Sequence, residues 1–192
     1  MNWGELKAAI AAYAHRADIA PLMATFLPLA EARIYTGEAN SPKLRCAAMH
    51  QAATLADGTR PAGFLEAIKI TPTGHPARPL GYRPMTRMPH ECHAFSWDGA
   101  TLVLSSDQTF PIDLTYYARL ATPVDDTDTN WIMDNHPTIY LSSLLVEVAR
   151  WSVDEGMGVR EASNYASAVN ALNSAEKAAA FSGSLLTMKA AR

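Results

Sequence analysis

Most of the chain's twelve prolines fall between residues 40 and 120, and this distribution limits the fold more than any other feature. Proline lacks the N–H that a helix interior or a central strand needs, so a dense run of prolines excludes long elements of either kind. Pro72, Pro76, Pro79, Pro84 and Pro89 interrupt this region repeatedly. What it can hold is short strands. LEAIKIT (65–71) alternates apolar and polar as a half-buried strand does, and PIDLTYYARL (111–120) puts Ile112, Leu114, Tyr116 and Ala118 on one face. CHAFSWDGATLVLSS (92–106) predicts a hairpin with Asp98-Gly99 at its tip, a pair suited to a type I′ turn.

The two ends carry a different period. Leu6, Ile10, Tyr13, Ala14 and Ala17 recur at helical spacing from Trp3 onward, and Asn2 with Glu5 predicts a capping box. A second helix carries Leu22, Phe26, Leu29, Ala30, Arg33 and Ile34, with Pro21 in its first turn and Gly37 ending it; Pro28 should kink or split it. Residues 121–135 read as a polar connection. Two further helices follow, over 137–153 (Leu141, Leu144, Leu145, Val148, Ser152) and 159–180 (Ala162, Tyr165, Ala166, Val169, Leu172, Ala179), with Gly156 and Gly158 breaking the chain between them. The predicted fold is α+β: a four-helix bundle from the N- and C-terminal helix pairs (1–39 and 121–180), an inserted small antiparallel β lobe (40–120), and an extended C-terminal tail (181–192).

A length of 192 residues, 48% apolar, suffices for a sizeable core. The net charge of −3 comes with Lys and Arg scattered along the chain, so no basic footprint for nucleic acid is visible. No apolar run approaches the ~18 residues of a membrane span. The opening residues mix acidic and basic side chains into the apolar pattern and do not read as a signal peptide. Cys46 and Cys92 stand far apart without a CxxC, which fits free buried thiols in a reducing, intracellular setting.

Several constellations offer chemistry and none completes it. PHECH (89–93) brings together His90, Cys92 and His93, with Cys46 as a conceivable fourth zinc ligand, but neighbours in a strand face opposite ways. Asp126-x-Asp128-x-Asn130 matches the start of a calcium loop, yet the sharp-turn glycine is missing and Pro137 stands where the bidentate glutamate belongs. GxSxG, GxGxxG and P-loop patterns are absent from the sequence. Glu31 and Arg33 read as one partly buried charge pair and one solvated side chain. His136, in NWIMDNHPTIYL, sits before a proline suited to the first helical position; Asp134, Asn135 or His136 can cap the helix, and Trp131 or Ile132 can fold back on its first turn. The histidine starts a helix rather than a reaction. No metal, cofactor or catalytic residue is expected.

Taken together, LTYYARL, NWIMDNHPTIYLSSLLVEVARW and FSGSLLTM resemble segments of the head-to-tail adaptor proteins of tailed bacteriophages, also called tail accessory or phage adaptor proteins. WGELKAAIAAYAHRADI, LAEARI and RPAGFLEAIKI resemble the same family's opening and its LPADFLE segment, so the likeness runs through nearly the whole chain in order. Arg60 replaces the apolar residue usual before Pro61-Ala62, Gly63 replaces an acidic one, and Leu185 replaces a proline in the tail. The resemblance implies a structural virion protein at the head–tail interface, assembled in the host cytoplasm. Its copies would form a dodecameric ring beneath the portal protein dodecamer, joined to the tail nozzle or tail-tube protein below and passing phage DNA without reading its sequence. The tail would hold the portal, with Phe181, Ser182, Gly183, Leu185, Leu186, Met188 and Arg192 as the contact residues. Too apolar to be left in water and too short to fold alone, such a segment orders on a partner.

Two other classes compete with this reading. A hydrolase acting on peptidoglycan would draw its acid and base from Asp125, Asp126, Glu147 and Glu155. A DNA-binding accessory factor would need a basic stripe.

Overall fold

In the computed structural model, which describes residues 1–38, 40–90 and 92–181, the chain divides into two compact units. One is Met1–Ala47 with Thr122–Arg192, described up to residue 181; the other is Ala48–Ala121. The class is α+β, with five α-helices and two small sheets among the described residues.

In the first unit, α1 (Trp3–Tyr13) begins on the expected capping box: Asn2 accepts from the Glu5 N–H at 2.8 Å, and Glu5 accepts from the Asn2 N–H at 3.0 Å. It ends four residues before the predicted Ala17. Arg16 N–H reaches the Ala11 carbonyl (3.0 Å) and His15 N–H the Ala12 carbonyl (3.2 Å), a Schellman closure with His15 at φ 51° in the place usually held by glycine. Tyr13, expected on the core face, is 63% exposed.

A single 3₁₀ turn (Ala20–Leu22) leads into α2 (Met23–Thr36), which runs through Pro28 without splitting. It buries Phe26, Ala30, Arg33 and Ile34, whereas Leu29 is 48% exposed, contrary to its place in the predicted stripe. After α2, residues 42–47 are bonded to helices: Leu44 N–H to the Ile34 carbonyl (2.8 Å), Arg45 N–H to Asn173 (2.9 Å) and Ala47 N–H to Glu176 (2.8 Å).

The second unit starts with β1 (His50–Leu55), β2 (Phe64–Pro72) and β3 (Gly81–Tyr82) and continues with β4 (Ala94–Asp98), β5 (Thr101–Leu104) and β6 (Ile112–Ala118). Two three-stranded sheets result, ordered β1-β6-β2 and β3-β4-β5. The lobe is not wholly antiparallel as predicted, because β3 pairs with β4 in parallel. β6 is the central strand and buries alternate residues, Ile112, Leu114, Tyr116 and Ala118, as its sequence demanded. These pack with Leu55, Ile70, Leu80, Phe95 and Leu102 into one core. The β4–β5 hairpin pairs Asp98 with Thr101, so its loop is Gly99-Ala100. Only Gly99 of these two has positive φ (57°), which is the II′ pattern rather than the predicted I′.

Back in the first unit, α3 (Trp131–Asn135), α4 (Pro137–Ser152) and α5 (Glu155–Phe181) complete the helices. Residues 131–135 are a helical turn and not part of the polar connection, because Asn130 caps them by accepting from the Met133 N–H at 3.1 Å. α4 is the central element, touching α1, α2, α3 and α5. The break before α5 falls at Val153, in left-handed backbone (φ 58°, ψ 34°), and the two glycines lie inside α5. Asp154 caps that helix, accepting from the Met157 N–H at 2.9 Å.

Candidate functional site

Glu31 and Arg33 are both buried, at 4% and 1% exposure, so the expectation that one of them is solvated is corrected. Two residues apart on α2, they point to different partners. The Tyr140 hydroxyl donates to Glu31 Oε1 (3.0 Å) and accepts from Asn130 Nδ2 (3.1 Å), while Thr122 donates to Glu31 Oε2 (2.7 Å). One carboxylate thereby ties α2 to α4, to the cap of α3 and to the linker. Arg33 is ion-paired with Glu147 and donates to the Ser143 carbonyl at 2.9 Å, with Glu38 at 3.4 Å on its outer side. Arg150 reaches Glu147 from solvent at 3.1 Å.

Burial pushes the Tyr140 phenol far above its ordinary range, and the neighbouring Tyr35 and Glu31 add to the effect. It therefore remains a donor at any physiological pH. Burial likewise raises Tyr165, whose hydroxyl donates to the Arg33 carbonyl (3.2 Å) and the Pro42 carbonyl (3.0 Å). Chemically the cluster is a fastening. Each carboxylate faces donors, and both are nearly sealed from a substrate.

The hydrolase candidates do not converge on one acid–base site. Glu147 lies in this core, Asp126 is ion-paired with Lys7, and Asp125 and Glu155 are exposed. The acidic linker instead serves α1. The Asp128 and Asp126 carbonyls accept from the Trp3 (2.8 Å) and Gly4 (2.9 Å) N–H groups, which a helix start otherwise leaves unbonded. The Asp128 carboxylate accepts from the Val124 and Asp125 N–H groups, each at 2.8 Å, which lowers its pKa.

Among the described residues no group of His, Cys, Asp or Glu is arranged to hold a metal ion. Of the residues considered for zinc, Cys46 is buried, whereas Cys92 is exposed, contrary to expectation; neither is in a disulfide. His93 is turned to Asp107, donating its N–H at 3.0 Å. His136 ends α3 and precedes Pro137 of α4, makes no side-chain cap bond, and packs its ring 5.3 Å from that of Trp131. It also lines a groove of about 450 Å³ with Pro137, Ile139, Ala168 and Leu172.

Of the expected portal-contact residues, Phe181 is the last residue of α5, and its side chain lies outside the described set. Ser182, Gly183, Leu185, Leu186, Met188 and Arg192 also lie outside the described residues. What the sequence did not signal is the exposure of several apolar residues of the first unit: Tyr13 (63% exposed), Trp151 (43%), Val153 (83%) and Val159 (74%). The Arg16 guanidinium lies 4.6 Å above the Trp151 ring. A helical period marks such residues as apolar without showing which fall beyond the edge of the packed stripe.

A family model described as SU10 adaptor protein matches residues 1–187. The chain belongs to this family. No curated protein matches it. Membership agrees with the resemblance to phage head-to-tail adaptors, which rested on segments from both ends and the middle of the chain. As a phage adaptor, the protein is a structural virion component. No helix among the described residues of this adaptor is long and apolar enough to cross a membrane.

Proposed function

We propose that this adaptor forms a dodecameric ring that joins the portal to the tail or nozzle and lines the DNA exit channel, without catalysis of its own. The observation that carries this reading is the family match over residues 1–187, which takes in the helical ends and the inserted β-rich segment alike. Residues 1–39 and 121–180 act as a helical bundle and ring body, residues 40–120 as the lobe toward the tail, and residues 181–192 as the portal-binding tail. The exposed Tyr13, Trp151, Val153 and Val159 leave apolar side chains of the helical unit available to such contacts. The sealed carboxylates of the helical core suit a scaffold.

Mixing the protein with its portal and weighing the complex tests the proposal. A gain in mass of one adaptor ring supports it, and no association refutes it. Deleting residues 182–192 should leave a folded protein that no longer binds portal. Normal assembly by that truncated chain would remove Leu185, Leu186 and Met188 from the portal contact.

A further inference from the structure

Arg60 directly precedes Pro61, and its surroundings in the β-rich unit give the guanidinium a task. Its Cζ lies 4.5 Å from the centroid of the Trp97 ring and 4.9 Å from that of Phe64. Nε is buried without a hydrogen-bond partner, and among the described residues no carboxylate or carbonyl accepts from the terminal nitrogens. Other arginines of the chain are placed differently: Arg16 meets Asp18, Arg33 and Arg150 meet Glu147, and Arg160 meets Glu161. The carboxylates close to Arg60 in sequence are occupied or turned away. Asp57 accepts from the Thr59 N–H at 2.9 Å, and Asp98 follows Trp97 on an alternating strand and so faces the other side.

The loop that carries Arg60 is fixed in place. Arg60 N–H donates to the Ala100 carbonyl (3.0 Å) and Leu102 N–H to the Gly58 carbonyl (2.8 Å). At Gly58 (φ 81°) a Cβ would come within 2.7 Å of the Phe110 ring and 2.8 Å of the Leu102 carbonyl, so the loop lies hard against the hairpin. Pro61 follows and restricts the backbone further. A donor fork held this way loses little freedom on binding.

From Trp97 a row of rings continues through Phe95 (6.5 Å) to Tyr82 (5.8 Å), and Tyr82 is 58% exposed. The cation therefore closes one end of an aromatic strip.

We propose that this strip docks an acidic peptide segment of a protein partner, with Arg60 taking a carboxylate and the rings of Trp97, Phe64 and Tyr82 taking apolar side chains beside it. Arginine, tryptophan and tyrosine are the residues on which binding energy concentrates in protein interfaces, and a guanidinium pairs a carboxylate through two parallel bonds. Nucleic acid fits less well, because a grip on phosphates draws on several cations together, and Arg83 beside Tyr82 is turned to the Tyr82 carbonyl at 3.0 Å. A purely structural role would use only the stem of Arg60 as a cover for the rings, which a methionine performs equally well. The inference does not depend on portal binding.

The test uses the ¹⁵N-labelled full chain, following the Arg60 Nε–H and Trp97 indole N–H signals. The probe is a blocked synthetic peptide of alternating glutamate and leucine; its glutamine counterpart and a duplex DNA oligomer are the comparisons. Saturable shifts of both signals with the glutamate peptide, absent with the glutamine peptide, are expected. Arg60→Met should keep the dispersed spectrum and weaken binding at least about tenfold, with Arg60→Lys in between. Binding unchanged in Arg60→Met, no response to the glutamate peptide, or a stronger response to DNA would each overturn the proposal. The chain lacking residues 182–192 should respond like the full chain, which separates this surface from the portal contact.

Discussion

Removing either member of the Arg33–Glu147 pair should destabilise the helical unit severely, and removing both should restore most of the loss. The side chains of the two are each 2% exposed, so neither charge has water to fall back on. Deleting one partner of a buried pair costs about 3–5 kcal/mol, because the other charge is left buried and uncompensated.

Two features place this pair at the lower end. After Glu147→Leu, Arg33 retains the Ser143 carbonyl at 2.9 Å and the half-exposed Glu38 at 3.4 Å. After Arg33→Met, Glu147 retains Arg150 at 3.1 Å. Each single substitution should therefore cost about 3 kcal/mol. That corresponds to a fall in Tm of about 6–12 °C, at roughly 2–4 °C per kcal/mol for a chain of this size. The double variant fills the space with apolar groups and leaves Arg150 and Glu38 to balance each other, so it should lie within about 1 kcal/mol of the parent. Urea titration followed by circular dichroism at 222 nm measures all four proteins. Single variants costing under about 1 kcal/mol, or a double variant that costs the sum of the two, would refute the reasoning.

Val153→Gly should stabilise the protein by about 1 kcal/mol, because a β-branched residue in left-handed backbone is strained by roughly 1–2 kcal/mol and this one, 83% exposed, gives up little packing. Thermal melting of the two proteins checks it. Tyr140→Phe should cost about 1–3 kcal/mol, since Glu31 loses a donor inside the core, and a cost below that of an ordinary surface change would show that Thr122 satisfies the carboxylate by itself. The Asp107 carboxyl is lowered to about 2, chiefly by the Ser105 hydroxyl and then by Gln108 and the His93 N–H. Its folded value lies below the unfolded 3.8, so its contribution is complete above that pH, shrinks as pH falls toward about 2, and is gone below. Urea midpoints of the parent and Asp107→Asn at pH 6, 4 and 2 should accordingly converge in acid.

Elements that carry their own local signal were legible in the sequence. The Asn2–Glu5 box and the strict alternation of β6 could be read directly, because each needs only residues within a few positions. β1 was not legible: HQAATL buries little beyond Leu55, being held by backbone pairing to β6 rather than by a patterned face. The end of α4 was not legible either, since a valine is the last residue that would be assigned a left-handed turn, and the nearby glycines drew the boundary to themselves. Asn130, unlike Asn2, has no glutamate three residues on, and the acidic run before it hid the helix of five residues that follows. Glu31 and Arg33 look like surface charges until Tyr140 and Glu147 are brought to them from more than a hundred positions away. The Arg60 stack is of the same kind, as its Trp97 partner lies on another strand.

The fastening in the helical core also sets an order of events on the ribosome. Glu31 meets Thr122 and Tyr140 at sequence separations of 91 and 109, and Arg33 meets Glu147 at 114. Those partners emerge only after residues 48–121, the contiguous β-rich unit, have been made. The nascent helices at the start of the chain must therefore hold Glu31 without its donors, and Arg33 with Glu38 alone, in water, where solvation keeps them satisfied and discourages premature collapse of α1 and α2. Once the β-rich unit is closed, the pairing of His50 with Tyr117 holds the two ends of that insert near each other and shortens the loop that the helical core has to close.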